Sequence, residues 1–281
     1  MSEAGGPVDG GAAFFDLDRT LMAGSSAYEF ARAAHRQGIL TRRQLAAGAV
    51  ANVRFRLLGS TDAATDAVRA QIFKVLQDVP VRDVLRLTPE VLAGVLPRMY
   101  PQMLQVAYEH QDAGRPVYIV TAAAHELAEM LADVLTFDGG LGARSEIVDG
   151  VYTGRPHGPF TYREGKAVAI RELAAREGID LAASWAYSDS ESDLPMLRAV
   201  GNPVAVNPDA ELGRVAREEG WQVLRFERLG RRLALAGTAV AAVAIGGAGS
   251  LMLWPREPRN GRAPRNGRAS HGARARRGRG A

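Results

Sequence analysis

Cysteine is absent from the 281 residues, which excludes disulfides, thiolate nucleophiles and sulfur-ligated metal sites and suits a reducing compartment. The opening stretch, MSEAGGPVDGG, has neither the basic patch nor the apolar run of a secretory signal. Residues 1–11 are therefore expected to be a short disordered tail ahead of a cytoplasmic domain. Acidic residues are scarce at the other end: residues 255–281 hold nine arginines and one acid, Glu257, a formal charge of +8. The total is +4, so the first 254 residues carry −4 and the basic character belongs to the tail. Its Gly, Pro and Arg content, with PRNGRA at 258–263 repeated at 264–269, excludes a packed core and predicts disorder over 255–281. Attraction to anionic lipid or nucleic acid and plain solvation are both open for the tail. The mildly acidic remainder is not expected to bind nucleic acid.

Charge is also missing from residues 233–254, LALAGTAVAAVAIGGAGSLMLW, a run long enough to cross a bilayer. Ala and Gly dominate it and supply less transfer free energy than Leu or Ile, so a buried or surface-docked helix is the alternative. Arg228, Arg231 and Arg232 before it, and Arg256 and Arg259 after it, suit an anchor at lipid headgroups. Residues 231–254 are accordingly expected to form a membrane helix that holds a cytoplasmic domain at the cytoplasmic membrane. A single crossing would export the Arg-rich tail, against the positive-inside tendency; a shallow insertion avoids that conflict.

Apolar residues make up 47% of the chain, enough for a sizeable core. AAFF at 12–15, PVYIV at 116–120, ASWAYS at 183–188 and NPVAV at 202–206 read as short strands, three of them followed closely by helical periodicity. Strands alternating with helices imply an α/β fold, a Rossmann-like parallel sheet covered on both faces. SEIVDGVYTGR adds a hairpin turning at Asp149-Gly150. Residues 25 to about 112 carry helical spacing without a clear strand, so the expected organisation is a core of 12–24 and 100–230 with an all-helical cap over 25–99.

Ligands of such sheets bind at the carboxyl ends of strands, where Asp16, Thr121 and Asp189 fall. Asp16 and Asp18 lie two apart at the end of an apolar strand, so both carboxylates can reach one point beyond it. Two adjacent acids repel, and a divalent cation there offsets the repulsion. Asp189 and Asp193 can complete such a site with oxygen donors suited to Mg²⁺. Taken singly, Asp189 and Thr121 also read as helix caps and Lys166 as a solvated helix residue.

FFDLDRTL, VYIVTAAA, Lys166 in REGKAVAI, and YSDSESDLP together resemble the four ordered motifs of the haloacid-dehalogenase-like phosphohydrolases. The helical insert after the first motif and the hairpin ahead of Lys166 resemble the phosphoserine-phosphatase-like branch. The resemblance implies that Asp16 attacks phosphorus and forms an aspartyl phosphate, and that Asp18 protonates the leaving group and then activates water. It implies that Thr121 and Ala122 in the second motif, with Lys166, bind the phosphoryl group. It also implies Mg²⁺ held by Asp16, the backbone carbonyl of Asp18, Asp189 and Asp193.

The expected activity is phosphomonoester hydrolysis on a small or lipid phosphate, with phosphoserine phosphatase as the alternative. Ala122 and Ala123 stand where phosphoserine phosphatases carry glycines, and Glu29 matches their acidic contact poorly. Arg32, His35, Arg36, Arg42, Arg43, Arg54, Arg56, Arg69 and Lys74 are the cap cations available to select a leaving group. Phosphotransfer to an acceptor other than water keeps the fold and changes the reaction. A reading from another class is a membrane-tethered binding protein with a vestigial hydrolase domain. Oligomeric state is not legible.

Overall fold

The computed structural model describes residues 10–43, 73 and 76–226. The expected disordered segments 1–11 (save its last two residues) and 255–281, the apolar run 233–254 and most of the central cap lie outside these residues.

Phe14 and Phe15 open the framework. Both are fully buried, and they face opposite sides of β1 (Ala13–Phe15), so a three-residue strand is anchored in core on each face. Its neighbours are β2 (Val117–Ala124) and β6 (Trp185–Ser188), both parallel to it. Beyond them lie β3 (Gly139–Ala143) on one side, and β7 (Asn202–Val206) and β8 (Gln222–Leu224) on the other. The order β3-β2-β1-β6-β7-β8 is parallel throughout. The chain therefore winds away from β1 first in one direction and then in the other, which creates a crevice at its carboxyl end. The expected parallel α/β sheet is present, with β3 and β8 in addition to the strands legible in the sequence.

The described helices are α1 (Ser26–Arg36), α2 (Val81–Leu85), α3 (Thr88–Val95), α4 (Pro101–Asp112), α5 (His125–Leu135), α6 (Glu164–Glu177), α7 (Leu194–Leu197) and α8 (Ala210–Glu218). One core layer gathers Ala13, Phe15, Val117 and Ile119 with Leu127 and Leu131 of α5 and Met103 of α4. The other gathers Phe14, Val120 and Ala186 with Ile170 and Leu173 of α6 and Leu212 of α8. Ala33, Ala34, Val91 and Val95 of α1 and α3 join the first layer, so these insert helices share the core of the sheet.

β4 (Ser145–Val148) and β5 (Val151–Pro156) form the expected antiparallel hairpin. Asp149 and Gly150 both have positive φ, 50° and 75°, the geometry a two-residue turn matched to strand twist requires. The insert is not purely helical beside it. Pro80 bridges Val151, Tyr152 donates from its N–H to the Val79 carbonyl, and Asp78 donates to the Tyr152 carbonyl. Extended backbone thus ties the hairpin to the insert through paired main-chain hydrogen bonds, a pattern side-chain periodicity does not reveal.

Candidate active site

Phe15 is in register with Ile119 on one side and Tyr187 on the other. Asp16 lies one residue beyond that line, and Thr121 and Asp189 lie two beyond. At about 3.3 Å per residue, the three positions end within ~7 Å of one level along the strands. The topology alone brings Asp16 together with side chains over a hundred positions away.

Lys166 completes the group from the first turn of α6. Its Nζ donates to Asp16 Oδ1 at 2.5 Å and to Asp193 Oδ2 at 2.6 Å. Asp193 Oδ2 also accepts from Ser188 Oγ at 2.7 Å. Lys166 is 3% exposed, so the reading of this lysine as a solvated helix residue does not hold. A buried ammonium needs charged partners, and it has two.

Asp189 is equally buried, and its Oδ2 lies 2.7 Å from the Arg19 guanidinium. The loop after it is held by Asp209, whose N–H donates to the Asp189 carbonyl. The Asp209 carboxylate accepts from Glu191 N at 3.0 Å and from Leu212 N at 2.8 Å. Asp209 thus caps α8 and fixes the turn carrying Asp189 at once.

Asp18 points elsewhere. Its carboxylate accepts from Ser26 N at 2.8 Å and from Ser25 Oγ at 3.1 Å. Ser25 occupies the N-cap position of α1 without capping it, and Asp18 supplies the acceptor from an adjoining loop. A carboxylate at a helix N-terminus is favoured by the orphan amides and the helix dipole. Thr121 is 3% exposed, and its Oγ1 accepts from Ala123 N at 3.2 Å. The β2–β3 register shifts between Val120 and Ala124, so Thr121 and Ala122 sit where the strand leaves its regular ladder. Neither helix-cap alternative is realised: Ala124 precedes α5 and Ser190 caps the short turn at Glu191–Asp193.

Three buried carboxylates, Asp16, Asp189 and Asp193, face two cations, the buried Lys166 and the half-exposed Arg19, leaving one negative charge. Burial is the main force on Asp16 and pushes its carboxyl up to about 8, opposed by Lys166 and reinforced by Asp193 and Asp189. Asp189 is pushed up to about 6, again mainly by burial, with Arg19 acting against it and Asp193 with it. Burial disfavours the charged form of Lys166, but Asp16 and Asp193 together hold its ammonium above the ordinary lysine value. These directions are compatible: the lysine keeps its proton, and the excess negative charge is relieved on a carboxyl.

The residues fit a hard divalent cation. Asp193 Oδ1 is buried without a hydrogen-bond partner among the described residues, and Asp189 Oδ2 has its ion pair but no well-directed hydrogen bond. Unsatisfied carboxylate oxygens are suitable donors for Mg²⁺. The four expected ligands do not, however, form one cage of carboxylates. Among the described residues no cluster of three or more acidic or histidine side chains is arranged to hold a metal. The reason is physical: Lys166 bridges Asp16 and Asp193, Arg19 sits on Asp189, and the Asp18 carboxylate is committed to α1. Any part of Asp18 in metal binding is confined to its backbone carbonyl.

Arg19, Ser188 and Asp209 are not legible as site residues; an arginine directly after an acid and a serine at a strand end carry no distinctive spacing. Of the cap cations, Arg32 pairs with Glu29 and Arg36 with Glu90, while His35 Nδ1 contacts the Leu40 carbonyl. Arg42 and Arg43 are exposed; Arg54, Arg56, Arg69 and Lys74 lie outside the described residues. Arg98, absent from that set, also pairs with Glu29, at 3.0 Å. A cavity of about 500 Å³ is lined by Trp185, Asn202 and Gln222 at the amino ends of β6, β7 and β8. It lies at the opposite end of the sheet from the carboxylates, and its position gives it no part in their chemistry.

Residues 13–198 match the family model for haloacid dehalogenase-like hydrolases. The chain is 39% identical over 251 residues to phosphoserine phosphatase SerB1 of Mycobacterium tuberculosis, covering 88% of this chain and 80% of that one. It is 34% identical over 137 residues to a histidinol-phosphatase of Neisseria meningitidis, covering 47% of this chain and 62% of that one. Among solved structures, a protein of unknown function from Bordetella pertussis superposes with a TM-score of 0.67 at 30% identity, covering 76% of this chain and 97% of that one.

Proposed function

The chain belongs to the haloacid dehalogenase-like hydrolases, and from that premise we propose that it is a magnesium-dependent phosphomonoesterase working through an aspartyl phosphate at Asp16. The observation that carries this reading is Asp16 itself, a buried carboxylate at the strand switch point, held by Lys166 and accompanied by Asp189 and Asp193.

In this reading an Asp16 carboxylate oxygen forms the bond to phosphorus as the bond to the leaving oxygen breaks. Asp18, once its carboxylate turns from the amino end of α1, delivers a proton to that oxygen, and then takes one from the water that cleaves the acyl phosphate and restores Asp16. Lys166 neutralises charge on the transferring group, while Thr121 and the backbone around Ala122 offer donors to its oxygens. Mg²⁺ bound by Asp16, Asp189, the Asp18 carbonyl and Asp193 would offset the repulsion between an anionic nucleophile and an anionic ester.

The two named phosphatase relatives act, by their names, on different alcohols, which favours a small phosphomonoester while leaving the alcohol open. Phosphoserine is supported by the longer of the two matches. A lipid phosphate depends on the apolar run 233–254, which lies outside the described residues; among those, no helix is long and apolar enough to cross a membrane. Membrane attachment stays a separate proposal, tested by fractionating cells that express the full chain or residues 1–227. The presence of every motif residue weighs against a vestigial domain.

The test is phosphate release by purified protein from p-nitrophenyl phosphate, phosphoserine, histidinol phosphate, glycerol phosphate, sugar phosphates and lysophosphatidate, with Mg²⁺ and with chelator. Activity that needs Mg²⁺ and vanishes in Asp16→Asn supports the reading. Hydrolysis that persists in Asp16→Asn refutes it. Added alcohols that become phosphorylated would redirect the reaction to phosphotransfer.

A further inference from the structure

The two cations of the site are held in different ways. Lys166 is 4% exposed in its side chain and donates to two carboxylates. The Arg19 side chain is 43% exposed and reaches a single buried carboxylate, Asp189, itself 4% exposed. The guanidinium therefore covers Asp189 from the solvent side, the direction from which a hydrated cation must approach. Its contact is close, 2.7 Å, yet it lacks the alignment of a hydrogen bond. The backbone adds a second sign of a selected position: Arg19 has φ +65°, a conformation that non-glycine residues seldom adopt and that persists where surroundings enforce it. The left-handed backbone at Arg19 lies between the Asp18 carboxylate, which goes to α1, and the Arg19 guanidinium, which is turned onto Asp189.

We propose that Arg19 is a displaceable countercation on Asp189, which must yield that carboxylate when a divalent metal binds, so that it weakens metal affinity. The proposal rests on the reading of Asp189 as a metal ligand. Neutralising Asp189 avoids an uncompensated buried charge in the metal-free protein. After displacement, the guanidinium is left at the solvent side of the site with an unmatched positive charge, in place to meet an anionic substrate. Arg19 is thereby a positioning residue for the metal, acting through Asp189.

The test is calorimetric titration of Mg²⁺ alone into the full-length wild type, Arg19→Gln and Arg36→Gln. Arg36 is a similarly exposed arginine that pairs with Glu90 on the insert. Arg19→Gln is expected to bind Mg²⁺ about tenfold more tightly, ~1.4 kcal/mol, with Arg36→Gln unchanged. Arg19→Met serves where the glutamine variant folds poorly. In wild type, Mg²⁺ is expected to shift the Arg19 Nε–H resonance and leave that of Arg36 in place. Equal or weaker binding by the Arg19 variants, or an equal gain in Arg36→Gln, overturns the proposal while the metal site stands. Absence of binding in every protein overturns the metal reading and this proposal with it.

Discussion

Lys166 Nζ and Asp16 Oδ1 lie 2.5 Å apart although 150 positions separate the two residues in the chain. The contact joins the first turn of α6 to the end of β1, and the same ammonium reaches Asp193. One cation thus links three segments that meet only in the folded state.

Removing it exposes the cost of what it holds. Lys166→Met is expected to destabilise the metal-free protein by about 3–5 kcal/mol, because two buried carboxylates lose their partner. Urea unfolding measures the loss, and Mg²⁺ recovers part of it. Hydrolysis is expected to fall at least ~100-fold, the scale of losing one stabiliser of transition-state charge.

Asp16→Asn tests the nucleophile. The amide keeps the size of the side chain but cannot form the acyl phosphate, so turnover is expected to drop by at least ~10⁴-fold while circular dichroism stays unchanged. Trapping of phosphoenzyme from wild type, and none from the variant, is the direct check.

The pH dependence of stability follows from the same acids. Asp16 and Asp189 are pushed up from 3.8 to about 8 and about 6, both mainly by burial. The folded state then holds protons that the unfolded chain has released, so stability falls as pH rises through this window. In chelator, the melting temperature is expected to decline from pH 5 to pH 8.5. Mg²⁺ is expected to flatten that decline, and Asp16→Asn to remove its upper part. Differential scanning fluorimetry across pH distinguishes these outcomes.

The insert offers an independent check on packing. A Cβ at Gly94 would lie 2.3 Å from Glu29 Oε2, and Glu29 is fully buried between Arg32 and Arg98. Gly94→Ala is expected to cost about 1–3 kcal/mol in urea unfolding through overpacking. Paired with Glu29→Ala, which empties the space, it is expected to cost less than the two separate losses combined.

What the sequence disclosed, and what it concealed, has a physical pattern. AAFF, PVYIV and WAYS announce buried strands through apolar runs, and acids or a hydroxyl placed at their ends stand out because burying them is costly. GGLGA at Gly139–Ala143 gives no such signal, yet it forms β3 because α5 packs directly on its backbone. A Cβ at Gly140 would meet the Ala128 carbonyl carbon at 2.2 Å. The three-residue strand Gln222–Leu224 is too short for its alternation to register. Asp16 is legible as chemistry from its own strand, and Thr121, Lys166 and Asp189 only as members of the four ordered motifs, whereas Arg19 and Arg98 act through partners chosen by the fold. The direction of the Asp18 carboxylate likewise depends on where α1 begins in space.

The placement of the three-residue strand β1 has a consequence during synthesis. Its partners β2 and β6 begin only at Val117 and Trp185, so both edges of Ala13–Phe15 stay unpaired while more than a hundred residues leave the ribosome. Such long-range pairing is slow, and it keeps apolar edges available to other nascent chains in the meantime. Translation must deliver β6 before Asp16 has its surroundings, so this carboxylate waits through more than 160 further residues before it can become chemically competent.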